Sequence, residues 1–136
     1  MLFRSTDSGD INTLSFVKLE VDPSSGQYKV GGVAASAGEA FRTAVRDNLV
    51  DFEVSAGGAG TTKNAVWDLT AADRGIYAAV LITPDETLYT FGDTTAEDGR
   101  QHLKVLGDSS FGFEDQLASQ GSDFDHNDFV VKITPV

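Results

Sequence analysis

The chain has 136 residues, no cysteine, and 21 acidic against 10 basic side chains, a formal net charge of −11. That length suits one domain, and a 40% hydrophobic content suffices for a packed core. So acidic a chain argues against a phosphate-backbone partner, which calls for clustered Lys and Arg. Without cysteine there is no disulfide framework, thiolate-held zinc, Fe–S cluster or thiol nucleophile.

In chain order, residues 11–21 set apolar Leu14, Phe16 and Leu19 against polar Lys18 and Glu20, which predicts a strand. Asp22-Pro23-Ser24-Ser25-Gly26 is a turn by composition, and residues 27–33 return as a second strand of a hairpin. Ser36-Ala37-Gly38-Glu39 matches a capping box, and Phe41, Val45 and Leu49 then share one face, predicting a helix over 38–48. Strands follow at 49–55 and at 65–70, which contains Trp67, with a flexible loop over 56–62 between them. Residues 76–83 are nearly all apolar between Gly75 and Pro84, the pattern of a central strand buried on both faces. Asp85-Glu86 is a tight turn before a return strand at 88–91, and 92–100 is a polar loop. Short strands at 101–106, 109–113 and 129–134 complete the chain, with a loop over 116–122. About eight or nine short strands with one short helix predict an all-β, antiparallel β-sandwich, jelly-roll-like. Residues 1–136 are expected to form a single domain, with an acidic metal-loop region at 108–128.

The acidity has a centre. Residues 105–131 hold Asp108, Glu114, Asp115, Asp123, Asp125 and Asp128 and no Lys or Arg. Unpaired like charges repel, so such clustering needs either a disordered tail or a cation. The same stretch carries Phe111, Phe113, Phe124 and Phe129, too many aromatics for a disordered tail. Asp123, Asp125 and Asn127 are spaced i, i+2, i+4, so in an extended segment their oxygens point the same way. Ca²⁺ takes six to eight such oxygens in a flexible geometry, whereas Mg²⁺ demands a strict octahedron. Zinc has only His102 and His126 to offer nitrogen. The candidate ligand set is Glu114, Asp115, Asp123, Asp125, Asn127 and Asp128. An EF-hand is excluded, because the sixth and twelfth positions from Asp123 are Asp128 and Thr134 instead of Gly and Glu. Taken alone, the Asp and Asn spacing is also that of Asx turns at a strand start.

These residues resemble a known family. Ser110-Phe111-Gly112-Phe113-Glu114-Asp115, a small-residue loop, then Gly121-Ser122-Asp123-Phe124-Asp125-His126-Asn127-Asp128-Phe129-Val130-Val131 is similar to the C-terminal signature of the DUF4114 domains. Asp98-Gly99-Arg100-Gln101-His102 and the apolar run at 76–83 resemble the segments that precede it, so the likeness covers residues 76–133. His126 stands where the family usually has an aromatic residue, and Gln116-Leu117-Ala118-Ser119-Gln120 is less glycine-rich than the family loop. Those domains have no assigned function and occur mostly in large secreted or surface proteins of bacteria, cyanobacteria among them. The resemblance implies an extracellular or cell-surface setting rich in calcium.

The expected function is therefore a calcium-binding structural or adhesive module of such a protein. Its partners would be a cell-surface glycan or other modules of a larger protein. The alternative is a calcium-dependent carbohydrate-binding module; a hydrolase ranks below both, and no catalytic residue is assigned. No apolar run approaches the ~20 residues of a membrane helix. Met1-Leu2-Phe3-Arg4-Ser5-Thr6-Asp7 lacks the apolar segment of a signal peptide, so any export signal is expected elsewhere. His102, near Asp98, has no nucleophile beside it and is expected to pack near the metal loop. Trp67, Tyr77 and Tyr89 are expected in the core or on a sheet face. Gly57-Gly58-Ala59-Gly60 is not followed by the Lys-Ser/Thr of a phosphate loop. Asp93, Glu97 and Asp98 are expected to form a solvated acidic loop.

Overall fold

The alternation that begins at residue 11 becomes β2 (Asn12–Val21), the longest strand among the described residues. A computed structural model describes residues 2–6, 11–56, 63–91, 98–107, 109–114 and 129–133. One sheet contains β1 (Leu2–Thr6), β6 (Lys63–Asn64), β9 (Leu103–Gly107), β10 (Ser110–Phe113) and β11 (Phe129–Lys132), in the order β6-β1-β11-β10-β9. The other contains β2, β3 (Tyr28–Val30), β4 (Val33–Ala34), β7 (Ile76–Ile82) and β8 (Leu88–Tyr89), in the order β4-β3-β2-β7-β8, with β5 (Val54–Ala56) also pairing β2. Among the described residues every pairing is antiparallel. The fold is all-β and sandwich-like, with one short α-helix among the described residues, α1 (Glu39–Asp47).

Two apolar layers hold these elements. Between the sheets, Leu14, Phe16, Ala79, Leu81 and Tyr89 meet Phe113, Phe129 and Val131. On the outer face of the second sheet, Val17, Val30, Ala78, Val80 and Leu88 meet Phe41, Ala44 and Val45 of α1. This explains the apolar run of β7. Successive side chains alternate between faces, and here one face meets a sheet while the other meets a helix. The β2–β7 register carries the same division, with Leu14 opposite Leu81 and Val17 opposite Ala78.

The turns follow their chemistry. Asp22 Oδ1 accepts from the amide and hydroxyl of Ser24, at 2.9 and 2.7 Å, and the Gly26 amide returns to the Asp22 carbonyl at 2.8 Å. The strand expected over 27–33 is instead a second hairpin. Gly31 and Gly32 adopt φ of 55° and 80°, the two-residue turn that folds β4 back on β3.

Three further expectations are corrected. Ser36 does not cap α1; the cap position is Gly38, with no side-chain cap, and a reciprocal capping box forms instead at Thr70 and Asp73. The strand over 49–55 shrinks to β5: Leu49 makes one bridge to Val17, and the Val50 amide donates to the Phe16 carbonyl at 2.9 Å. Residues 65–70 are not a strand, because Trp67 is drawn into an aromatic cluster, its ring near-parallel to Phe16 at 4.6 Å and to Phe52 at 5.5 Å. β1, unforeseen in the sequence, is a strand by virtue of pairing with β11 and β6.

Three turn aspartates make a pH prediction. The Ser24 hydroxyl first, then its amide, holds the Asp22 carboxyl well below the usual carboxylate range. The amide and then the hydroxyl of Thr70 lower Asp73, and the Thr83 hydroxyl foremost lowers Asp85. A depressed folded pKa adds stability above the unfolded value, roughly pH 4, and loses it as pH falls through the folded value. The stability gap between wild type and Asp22→Asn is thus expected to be constant from about pH 7 to pH 5 and to narrow below about pH 4. Urea midpoints measured across that range test it; a gap that widens in acid contradicts it.

Candidate metal centre

Among the six residues predicted as metal ligands, Glu114 lies within the described structure; Asp115, Asp123, Asp125, Asn127 and Asp128 lie outside it. The two glycine-containing loops expected at 56–62 and 116–122 also lie outside it, apart from Ala56, as do Asp93, Glu97, Asp108 and His126. Among the described residues no group of three or more His, Asp and Glu side chains is arranged to hold a metal.

Glu114 is fully buried directly after β10. Its amide donates to the His102 carbonyl at 2.8 Å, which continues the β9–β10 ladder by one step beyond the Leu103–Phe113 pair. β10 also pairs with β11, and Phe113 stands opposite Phe129. Phe113 and Phe129, which bracket the acidic motif in the sequence, thus form one cross-strand pair, and both are at 0% exposure. The aromatic residues that flank the acidic motif are its anchors in the core.

His102 ties this point to Asp98. Its ring is fully buried and stacked on Tyr89, centroids 4.3 Å apart. Nε2 lies 2.9 Å from both carboxylate oxygens of Asp98, and Nδ1 lies 3.2 Å from the Glu114 carbonyl. The Asp98 carboxylate also accepts from the Arg100 amide at 3.0 Å. Asp98 thus departs from the solvated loop expected for it: its side chain is only 12% exposed and clasps a core imidazole. Sequence reasoning placed His102 and Asp98 near one another but missed their link to Glu114. The adjacent strand patterns at 101–106 and 109–113 were the available signal, since a hairpin between them brings residue 102 opposite residue 114.

Removing the imidazole leaves the Asp98 carboxylate without its ring partner and opens a cavity beside Tyr89. His102→Ala is expected to cost about 2 kcal/mol or more. A denaturant titration checks this, and a loss within about 0.5 kcal/mol, the range of ordinary surface substitutions, contradicts it.

The aromatic residues divide between two sites. Tyr89 is a core residue at 1% exposure. Trp67 and Tyr77 meet edge to face at 5.1 Å, beside a cavity of about 280 Å³ also lined by Asp51, Phe52, Asp68 and Asp73. Among the described residues no helix is long and apolar enough to cross a membrane. No protein-family model, curated protein or solved structure matches the chain. The all-β sandwich-like class is thus defined by the fold itself.

Proposed function

We propose that the chain is a calcium-binding structural or adhesive module of a secreted or cell-surface bacterial protein. The ion would be held by Glu114, Asp115, Asp123, Asp125, Asn127 and Asp128. The observation that carries this reading is the cation-free acidic stretch over 105–131, with Asp123, Asp125 and Asn127 at alternate positions. Support comes from the buried pair of Phe113 and Phe129, which bracket five of the six carboxylates of that stretch and the ligand candidates in the sequence, and from the buried Glu114 beside it. The resemblance of residues 76–133 to the DUF4114 signature supports the same reading and its extracellular setting. A thermal melt in EDTA and in Ca²⁺, on wild type and on Asp125→Ala, tests it. The wild type is expected to gain stability from Ca²⁺, and the variant to lose most of that gain.

The second reading, a calcium-dependent carbohydrate-binding module, is favoured by the cavity beside Trp67. Aromatic and carboxylate groups together suit the apolar face and hydroxyls of a sugar. Glycan-array binding abolished by EDTA supports that reading; no glycan binding by a calcium-stabilised protein supports the purely structural one.

A further inference from the structure

The cavity of about 280 Å³ beside Trp67 is lined by three rings, Phe52, Trp67 and Tyr77, and three carboxylates, Asp51, Asp68 and Asp73. Phe16 and Phe52 both run near-parallel to the indole, and their own centroids are 6.3 Å apart. Rings on opposite faces of the indole would stand about 7 Å apart or more, two contact distances of about 3.5 Å. The two phenylalanines therefore share one side of Trp67. Among the described residues no ring is stacked on its other face, and Tyr77 meets the indole edge to face. An indole face is negative at its centre and attracts a cation.

The polar lining consists almost wholly of acceptors. Asp51 and Asp68 are exposed carboxylates. Tyr77 has given its hydroxyl hydrogen to the Asp73 carbonyl. Asp73 accepts the Thr70 amide and hydroxyl through Oδ2, each at 2.9 Å, and Oδ1 takes part in neither bond. Those bonds, the amide first, hold its carboxyl below the usual range; Lys18, opposite Tyr77 on β2, adds the least. No Lys, Arg or His lines the cavity, and the indole N–H is the one side-chain donor left to it. The three carboxylates form no group able to hold a metal ion. Set around rings instead of converging on a point, they suit a wider cation.

We propose that this cavity binds a guanidinium group, carried by a small molecule or by an arginine side chain of a partner. Guanidinium is planar and stacks on an aromatic face. It carries only N–H donors, which answers a lining of acceptors, and its charge is fixed. A primary ammonium has the charge without the plane. A neutral sugar brings acceptors as well as donors, and here its acceptors would meet a single side-chain donor. The proposal therefore competes with the sugar reading for the same cavity, and it does not rest on calcium binding.

Trp67 is the one tryptophan of the chain, so its indole N–H gives a single NMR signal that reports on the cavity. In EDTA, methylguanidinium chloride up to about 50 mM is expected to move that signal along a saturable curve. Methylurea, of the same shape without the charge, is expected to leave it in place. The peptide acetyl-Gly-Gly-Arg-Gly-Gly-amide separates the two sources: tighter binding than methylguanidinium assigns an arginine of a partner, weaker binding a small molecule. Asp51→Asn with Asp68→Asn, both at exposed side chains, is expected to weaken binding about fivefold or more. A response to methylurea equal to that of methylguanidinium overturns the proposal. So does unchanged affinity in the double variant, or a shift with methyl glucoside and none with methylguanidinium. None of these outcomes bears on the calcium-induced gain in melting temperature.

Discussion

Phe113→Ala is expected to cost about 3–5 kcal/mol, the usual range for emptying an aromatic site in a core. The ring has 0% exposure and lies in the layer between the sheets, across from Phe129 and among Leu14, Leu81 and Val131. A domain of this size is stable by only about 5–15 kcal/mol, so the loss is a large share of the total. Urea midpoints measure it. Should the alanine variant fail to fold, Phe113→Leu keeps most of the volume and is expected to lose no more than about 1.5 kcal/mol. Val105→Ala, at a side chain 76% exposed on the same sheet, is expected to stay within about 0.5 kcal/mol. A Phe113→Ala cost as small as that of Val105→Ala contradicts the core position assigned to Phe113.

Calcium is expected to raise the melting temperature by on the order of 10 °C. A ligand that binds only the folded state adds RT ln(1 + [L]/Kd), about 2.7 kcal/mol at a hundredfold excess over Kd. For a domain of this length each kcal/mol is worth roughly 3–6 °C. The sign follows from the charge pattern: six carboxylates over 105–131, with no Lys or Arg among them, repel one another until a cation intervenes. Asp125→Ala is expected to remove most of the calcium-induced shift. It is also expected to raise the melting temperature in EDTA slightly, since one repelling charge is gone. An unchanged melting temperature in millimolar Ca²⁺ would sink the calcium reading.

What the sequence made legible was local. The apolar run of β7 announced burial on both faces because each side chain's exposure is set by its own face. Phe41 and Val45 announced the packed side of α1, and Asp22 with Gly26 the turn between β2 and β3, each from neighbours a few residues apart. Partners were not legible, because strand pairing is decided between residues distant in the chain. Residues 49–53 and 65–70 have strand-like composition, yet one segment lies along β2 with a single bridge and the other serves an aromatic cluster. Conversely, Leu2–Thr6 has little strand pattern and becomes β1 because β11 and β6 flank it.

The candidate site divides in the same way. Charge, spacing and the flanking phenylalanines were written in residues 105–131. The clasp of Asp98 on His102, and of His102 on Glu114, exists only because the β9–β10 register sets residue 102 opposite residue 114. The sequence by itself determined which residues prefer the interior and where negative charge accumulates, since both are properties of single side chains and their near neighbours. Only the tertiary structure decided which strands meet. The loss of chain entropy that these long-range pairings require is recovered only when both sheets and the helix close together.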